Sequence, residues 1–150
     1  MSNLKQLLYL QCCDYIANHE SEIRRAIADA QEAANNEEKS SAGDKFETGR
    51  ETMQQEIDLN LTRLGELDKQ KHLFDHVLPD HTSATVQPGS VVHTNNGKYY
   101  VSIGAGKLRI EDTVYYAVSP VSPIGTKMSG LKTGDTFELN GRTYVIECVI

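Results

Sequence analysis

Apolar residues recur every three or four positions through the first 78 residues and roughly every second position beyond residue 90, so the chain predicts helix first and strand afterwards. Leu4, Leu8, Cys12, Tyr15, His19, Ile23, Ile27, Ala30 and Ala34 form the narrow stripe of an amphipathic helix, and neither Pro nor Gly interrupts residues 1–42. A second stripe begins after Gly43 with Met53, Ile57, Leu64, Leu67, Phe74 and Leu78. Leu61 is on its flank, Lys71 is its one polar member, and Pro79 closes it. Each segment would be roughly 45 to 50 Å long at about 1.5 Å per residue. The polar break Ser41-Ala42-Gly43-Asp44-Lys45-Phe46-Glu47-Thr48 turns the second back on the first, because short helix–helix connections make antiparallel neighbours. The expectation for residues 1–79 is an antiparallel coiled-coil helical hairpin with an acidic tip, which leans on another domain or a partner for stability.

Residues 80–85, Asp80 to Thr85, have the composition of a linker, and residues 86–150 change to strand periodicity. Ser90 to Thr94 and Lys98 to Ile103 flank the turn signal Asn95-Asn96-Gly97. Val114 to Val118 is another strand, and Thr136 to Leu139 and Arg142 to Val149 flank Asn140-Gly141. Between them Ser122 can cap a short helix, Pro123 suits its first turn and Gly130 can end it. The second domain is thus expected to be a small antiparallel sheet with one short helix, and the whole chain α+β.

Charge narrows the function classes. The net charge of −6 resides entirely in the first half, where residues 1–79 hold fifteen Asp and Glu against nine Lys and Arg, while residues 80–150 hold six of each. An acidic arm argues against independent nucleic-acid binding, which uses Lys and Arg to replace counterions, and suits a basic protein groove or a metal ion. No apolar run approaches a membrane span and the first residues lack a signal-peptide layout, so a cytoplasmic protein with no membrane partner is expected. Cys12, Cys13 and Cys148 form neither a disulfide framework nor a zinc pattern, and reduced thiols are the simple reading.

Few residues offer chemistry. Asp44 and Glu47, three apart at a helix start, can face one small volume. Their spacing is also that of a capping box, which needs no function and would hold the same geometry. His72 and His76 are a metal pair without an evident third ligand. Cys12 or Cys13 would need a partnered His and a pocket to act as nucleophile. Arg24 and Arg25 read as solvated or as partner contacts. Phe46 reads as a contact within the tip or with a partner.

Taken together, these motifs resemble the Gre family of bacterial transcript-cleavage factors over nearly the full chain. The resemblance rests on Ser122-Pro123-Ile124-Gly125 through Gly130 and Gly134-Asp135, on Glu22-Ile23-Arg24-Arg25-Ala26-Ile27-Ala28-Asp29-Ala30, and on Gly43-Asp44-Lys45-Phe46-Glu47-Thr48. The last is similar to the family's Gly-Asp-Leu-Ser-Glu-Asn type of tip. Lys45, Phe46 and Thr48 replace Leu, Ser and Asn, and Asn36 to Ala42 adds length before the tip. The resemblance implies an FKBP-like sheet domain and a partner, bacterial RNA polymerase, entered through its secondary channel. It also implies stimulation of the polymerase's own cleavage of backtracked RNA, whose 3′ end is met only inside the complex.

In that role Asp44 and Glu47 would help hold a second Mg²⁺ shared with the polymerase and orient a water, which makes the chain an accessory factor rather than an enzyme. The alternatives are a secondary-channel regulator that does not support cleavage, motivated by the altered tip, and a coiled-coil adaptor for an unrelated protein. FKBP-like folds include prolyl isomerases with clustered aromatic pockets. This chain has no Trp, and Tyr99, Tyr100, Tyr115, Tyr116, Phe137 and Tyr144 read as strand core, so a docking module is expected.

Overall fold

The computed structural model has helices first and strands afterwards, the order the sequence indicates. It describes residues 2–38 and 43–150, with side chains at 3–36 and 49–150. Two long helices, α1 (Ser2–Glu38) and α2 (Gly43–Phe74), precede β1 (Val91–Thr94), β2 (Gly97–Val101), β3 (Gly106–Ile110) and β4 (Thr113–Val118). A short helix α3 (Pro123–Met128) and the strands β5 (Thr136–Leu139) and β6 (Arg142–Val149) follow. The chain divides into two units, Ile16–Lys69 and Met1–Tyr15 with Gln70–Ile150.

The Ile16–Lys69 unit is a helical hairpin with a heptad seam. Ile16, Ile23 and Ala30 are buried at intervals of seven on α1, and Ile57, Asn60 and Leu67 are buried on α2. The seam therefore runs through Ile16 rather than through Tyr15 and His19, of which His19 is exposed. It also holds a polar residue the periodicity did not reveal. Asn60 is 8% exposed and its Nδ2 donates to the Glu56 carbonyl at 2.9 Å, which meets part of its hydrogen-bonding need within its own helix. On the solvent side Gly65 interrupts α2, and a Cβ there would meet nothing within 4 Å. Gly65→Ala is expected to stabilise the chain by about 1 kcal/mol through helix propensity, measured by urea unfolding followed by circular dichroism.

The other unit is built on a six-stranded sheet of order β3-β4-β2-β1-β6-β5. The sheet was expected to be antiparallel, and all its pairs are so except one: β2 and β4 are parallel, with Tyr99 opposite Tyr116 and Val101 opposite Val118. The reason is the β3–β4 hairpin, which carries the chain outward and returns β4 beside β2 in the same direction. One sheet face holds Val91, Tyr100, Leu108, Tyr115 and Ala117, all buried. The start of α1 covers it: Cys12 Sγ is 3.4 Å from Ser102 Oγ, and Gln11 Nε2 donates to the Arg109 carbonyl at 2.8 Å. Tyr9 of α1 stacks on Phe74 of α2 with ring centroids 4.8 Å apart.

The opposite face carries the main core, in which Val92, Tyr99, Val101, Phe137, Tyr144 and Ile146 meet Val86 and Met128, with Ile124 and Leu131 packed against them. A register shift between His93 and Thr94 places Cys148 opposite His93 but Ile146 opposite Thr94. The extra residue, Glu147, is a β-bulge that lets Ile146 and Val149 reach the same core although they are three apart.

Three local features differ from the sequence reading. α2 stops at Phe74 rather than running on to Pro79. Short bonds from His76 N to the Leu73 carbonyl and from Val77 N to the Phe74 carbonyl tighten its last turn, burying Val77 and leaving Leu78 55% exposed. The segment 80–85 is tied at both ends, since Lys5 Nζ donates to the His81 carbonyl at 2.7 Å and Thr85 forms a bridge with Lys132. Burial of Lys5 depresses its pKa, so its ammonium is held at a cost that falls as the solution becomes alkaline.

The third is strand β3 itself, which joins β4 through Glu111 and Asp112, with Glu111 at φ 55°. A side chain in that left-handed region costs about 1 kcal/mol. Glu111→Gly is therefore expected to raise stability by roughly 0.5 to 1 kcal/mol in the same urea measurement.

Candidate functional site

The residues that carry the family resemblance in the sheet unit have structural roles. Ser122 caps α3: its Oγ accepts from Gly125 N at 3.1 Å and donates to the Ser119 carbonyl at 2.6 Å, while Pro123 begins the helix. Gly130, at φ 79°, follows the helix and its N–H donates to the Val86 carbonyl at 2.9 Å. Asp135 Oδ2 accepts from Lys132 N at 3.0 Å and so closes the turn that leads into β5. This set specifies how the short helix is seated on the sheet.

The acidic pair is a different matter. Backbone helix begins at Gly43, so Asp44 is already inside the first turn of α2 rather than ahead of it. The side chains of Asp44, Phe46 and Glu47, and the whole of residues 39–42, lie outside the described residues. The capping-box reading and the metal reading both rest on those side chains.

The competing candidates resolve as structural. His72 Nδ1 is 4.0 Å from Asp75 Oδ2 and both side chains are exposed, while His76 lies in the turn beyond the helix. Among the described residues no group of three His, Cys, Asp or Glu side chains is placed to hold a metal ion. Arg24 reaches Glu20 at 3.6 Å with its side chain 63% exposed, an i,i+4 surface pair. Among the described residues no helix is long and apolar enough to cross a membrane.

Cys12 is fully buried, and burial pushes its thiol up to about 11, outweighing the opposite effect of the Ser102 hydroxyl. A nucleophile must be a thiolate, so Cys12 is inert near neutral pH. A raised acid pKa favours the folded state's protonated form. This contribution is complete below the unfolded value of 9.0 and is lost as pH rises to about 11, an upper bound of about 2.7 kcal/mol. Urea unfolding at pH 8, 9.5 and 11 should show this alkaline loss in the wild type and a smaller one in Cys12→Ala.

Tyr100, near Cys12, is also fully buried, its hydroxyl has no hydrogen-bond partner among the described residues, and burial raises its pKa. The periodicity marked Tyr100 as strand core, and nothing in it distinguished this hydroxyl from that of Tyr99, which donates to the Asn96 carbonyl at 3.3 Å.

A helical hairpin followed by a mostly antiparallel six-stranded sheet with one short helix is the fold class these features define. Among solved structures, the chain is similar to GreA factor homolog 1 (Gfh1) of Thermus thermophilus. The match has 16% sequence identity and a TM-score of 0.36, and covers 91% of this chain and 93% of that one. No protein-family model and no curated protein sequence matches the chain.

Proposed function

We propose that this chain is a Gre-like transcription elongation factor that binds bacterial RNA polymerase through its secondary channel and stimulates the polymerase's own cleavage of backtracked RNA. The observation that carries the reading is the order of parts. A heptad-seamed helical hairpin, with an Asp-x-x-Glu pair where its second helix begins, is followed by a sheet unit with a Ser-Pro-capped short helix. Two paired helices of about 10 Å diameter each make a probe narrow enough for a channel, and its acidic surface suits a basic wall.

The chemistry of the donor set fits the role. Asp44 and Glu47 offer the hard oxygen ligands that Mg²⁺ takes, yet two carboxylates hold this ion poorly alone because it keeps its waters and favours added phosphate ligands. The site is complete only when the polymerase and the RNA phosphate contribute. When bound there, the ion supplies charge stabilisation for attacking and leaving oxygens in phosphodiester hydrolysis. The chain's own part is to bring the two carboxylates to the RNA 3′ end. It is an accessory factor under this reading, and the sheet unit is its docking module.

The test is a transcript assay on stalled elongation complexes with labelled RNA. Shortened RNA carrying new 3′ ends that extend when nucleotides are restored supports the proposal. Binding without cleavage would leave a secondary-channel regulator, and recovery of no polymerase subunits would leave an adaptor for another protein.

A further inference from the structure

The two faces of the sheet differ in charge in a way the whole-chain count conceals. On the α3 side, strand alternation and register place Lys107 directly opposite Tyr116 and Arg109 opposite Val114, while Arg142 alternates with the core residues Tyr144 and Ile146. All three cations are exposed, and Tyr116 is 37% exposed. They lie toward the end of the sheet bearing the Asn95–Gly97 turn, beyond the part filled by Val86, Val101 and Met128.

Among the described residues, no strand carboxylate shares that face. Glu138 alternates with Phe137 and so projects from the other side. Glu147 is the bulge residue that alternates with Ile146 of the core, and Glu111 belongs to the β3–β4 turn. Asp112 is in the β3–β4 turn.

We propose that this open end of the α3-side face docks single-stranded nucleic acid, with the Tyr116 ring stacking on a base and Lys107, Arg109 and Arg142 meeting phosphates. Cations alone would equally suit an acidic peptide. The aromatic arrangement favours nucleic acid, because every base has a π face on which an exposed ring set among cations can stack, whereas an acidic side chain has none. The Tyr116 ring is held from behind by Tyr99 at 5.9 Å between centroids, and Tyr99 meets Tyr144 at 6.5 Å, which itself stacks on Phe137 at 4.8 Å. That row fixes the ring before any ligand arrives, which lowers the ordering cost of stacking. The chain's net charge of −6 stands against binding only if charge is uniformly spread, and here it is not.

The inference is independent of the polymerase reading, and its test contains no polymerase. Fluorescence anisotropy of a short labelled oligouridylate, titrated with the full chain at low ionic strength, should show salt-dependent binding. A log–log slope near −2 is expected for about three phosphates on a single strand. Tyr116→Ala should weaken binding about ten-fold while Tyr116→Phe retains it, and Lys107→Glu should flatten the slope by about one unit. An absence of binding at low salt, unchanged affinity in Tyr116→Ala, or equally tight binding of a labelled polyglutamate would overturn the proposal.

Discussion

Asp44→Asn is expected to lower stimulated transcript cleavage by about 100-fold or more while leaving polymerase binding intact, the loss characteristic of one removed electrostatic group at a reacting centre. The substitution keeps size and shape and removes only the charge. An amide oxygen is a weak Mg²⁺ ligand next to a carboxylate, so a second ion would no longer be held where water must be oriented. Glu47→Gln should act in the same direction. Binding is measured separately by competition with the unlabelled wild-type protein, so a defect in docking cannot pass for a defect in chemistry. If stalled complexes still yield shortened RNA at the wild-type rate with Asp44→Asn, the roles given to this pair are wrong.

Gly125→Ala is expected to destabilise the sheet unit by about 3 kcal/mol, the upper range for forcing a methyl group into a filled site. Gly125 is buried in the first turn of α3, and a Cβ there would collide with the Ser119 carbonyl oxygen and come within 2.9 Å of Pro120 Cα. Both are backbone atoms, so no rotamer change relieves the clash. The Ser119 carbonyl is also the acceptor for Ser122 Oγ and for Ser122 N, and the shift would disturb the cap that starts the helix. A fall of roughly 12 to 24 °C in the unfolding midpoint of this unit, read by near-ultraviolet circular dichroism of its tyrosines, is the expected result. A change of less than about 2 °C would mean the helix start moves freely and the Ser-Pro segment does not specify its seating.

What the sequence made legible follows from how local each signal was. The hairpin turn Asn140-Gly141 could be read because two successive residues there adopt positive φ, 54° and 79°, and Asn-Gly is the pair that does so with least strain. The same logic hid β3. Its hairpin turns through Glu111 and Asp112, which announce nothing, and the left-handed φ at Glu111 is imposed by the pairing of Ile110 with Thr113. The parallel pairing of β2 with β4 is non-local and leaves no mark on either strand's alternation. On α1 the stripe was right at Leu8, Cys12, Ile23 and Ala30. It slipped at Tyr15 and His19 because a straight 3.6-residue helix and a heptad seam drift apart, and Ile16 takes that place.

Asn60 escaped for a different reason: a polar residue is not counted in an apolar stripe, although a seam tolerates one that bonds its own backbone. The candidate chemistry divides in the same way. Spacing alone gave Asp44 and Glu47 a capping role, and only the family resemblance supplied a reaction. The charge asymmetry of the sheet needs the strand register, since Lys107, Arg109 and Arg142 are far apart in sequence and are gathered on one face only by pairing.

The central claim is that the tip of this hairpin reaches the catalytic ion of RNA polymerase. The most direct test replaces that ion with Fe²⁺ in a stalled complex and maps where locally generated hydroxyl radicals cut the bound chain. Cuts centred on residues 44–47 are the result expected. Cuts confined to residues 86–150, or no cutting despite saturating occupancy, would contradict it.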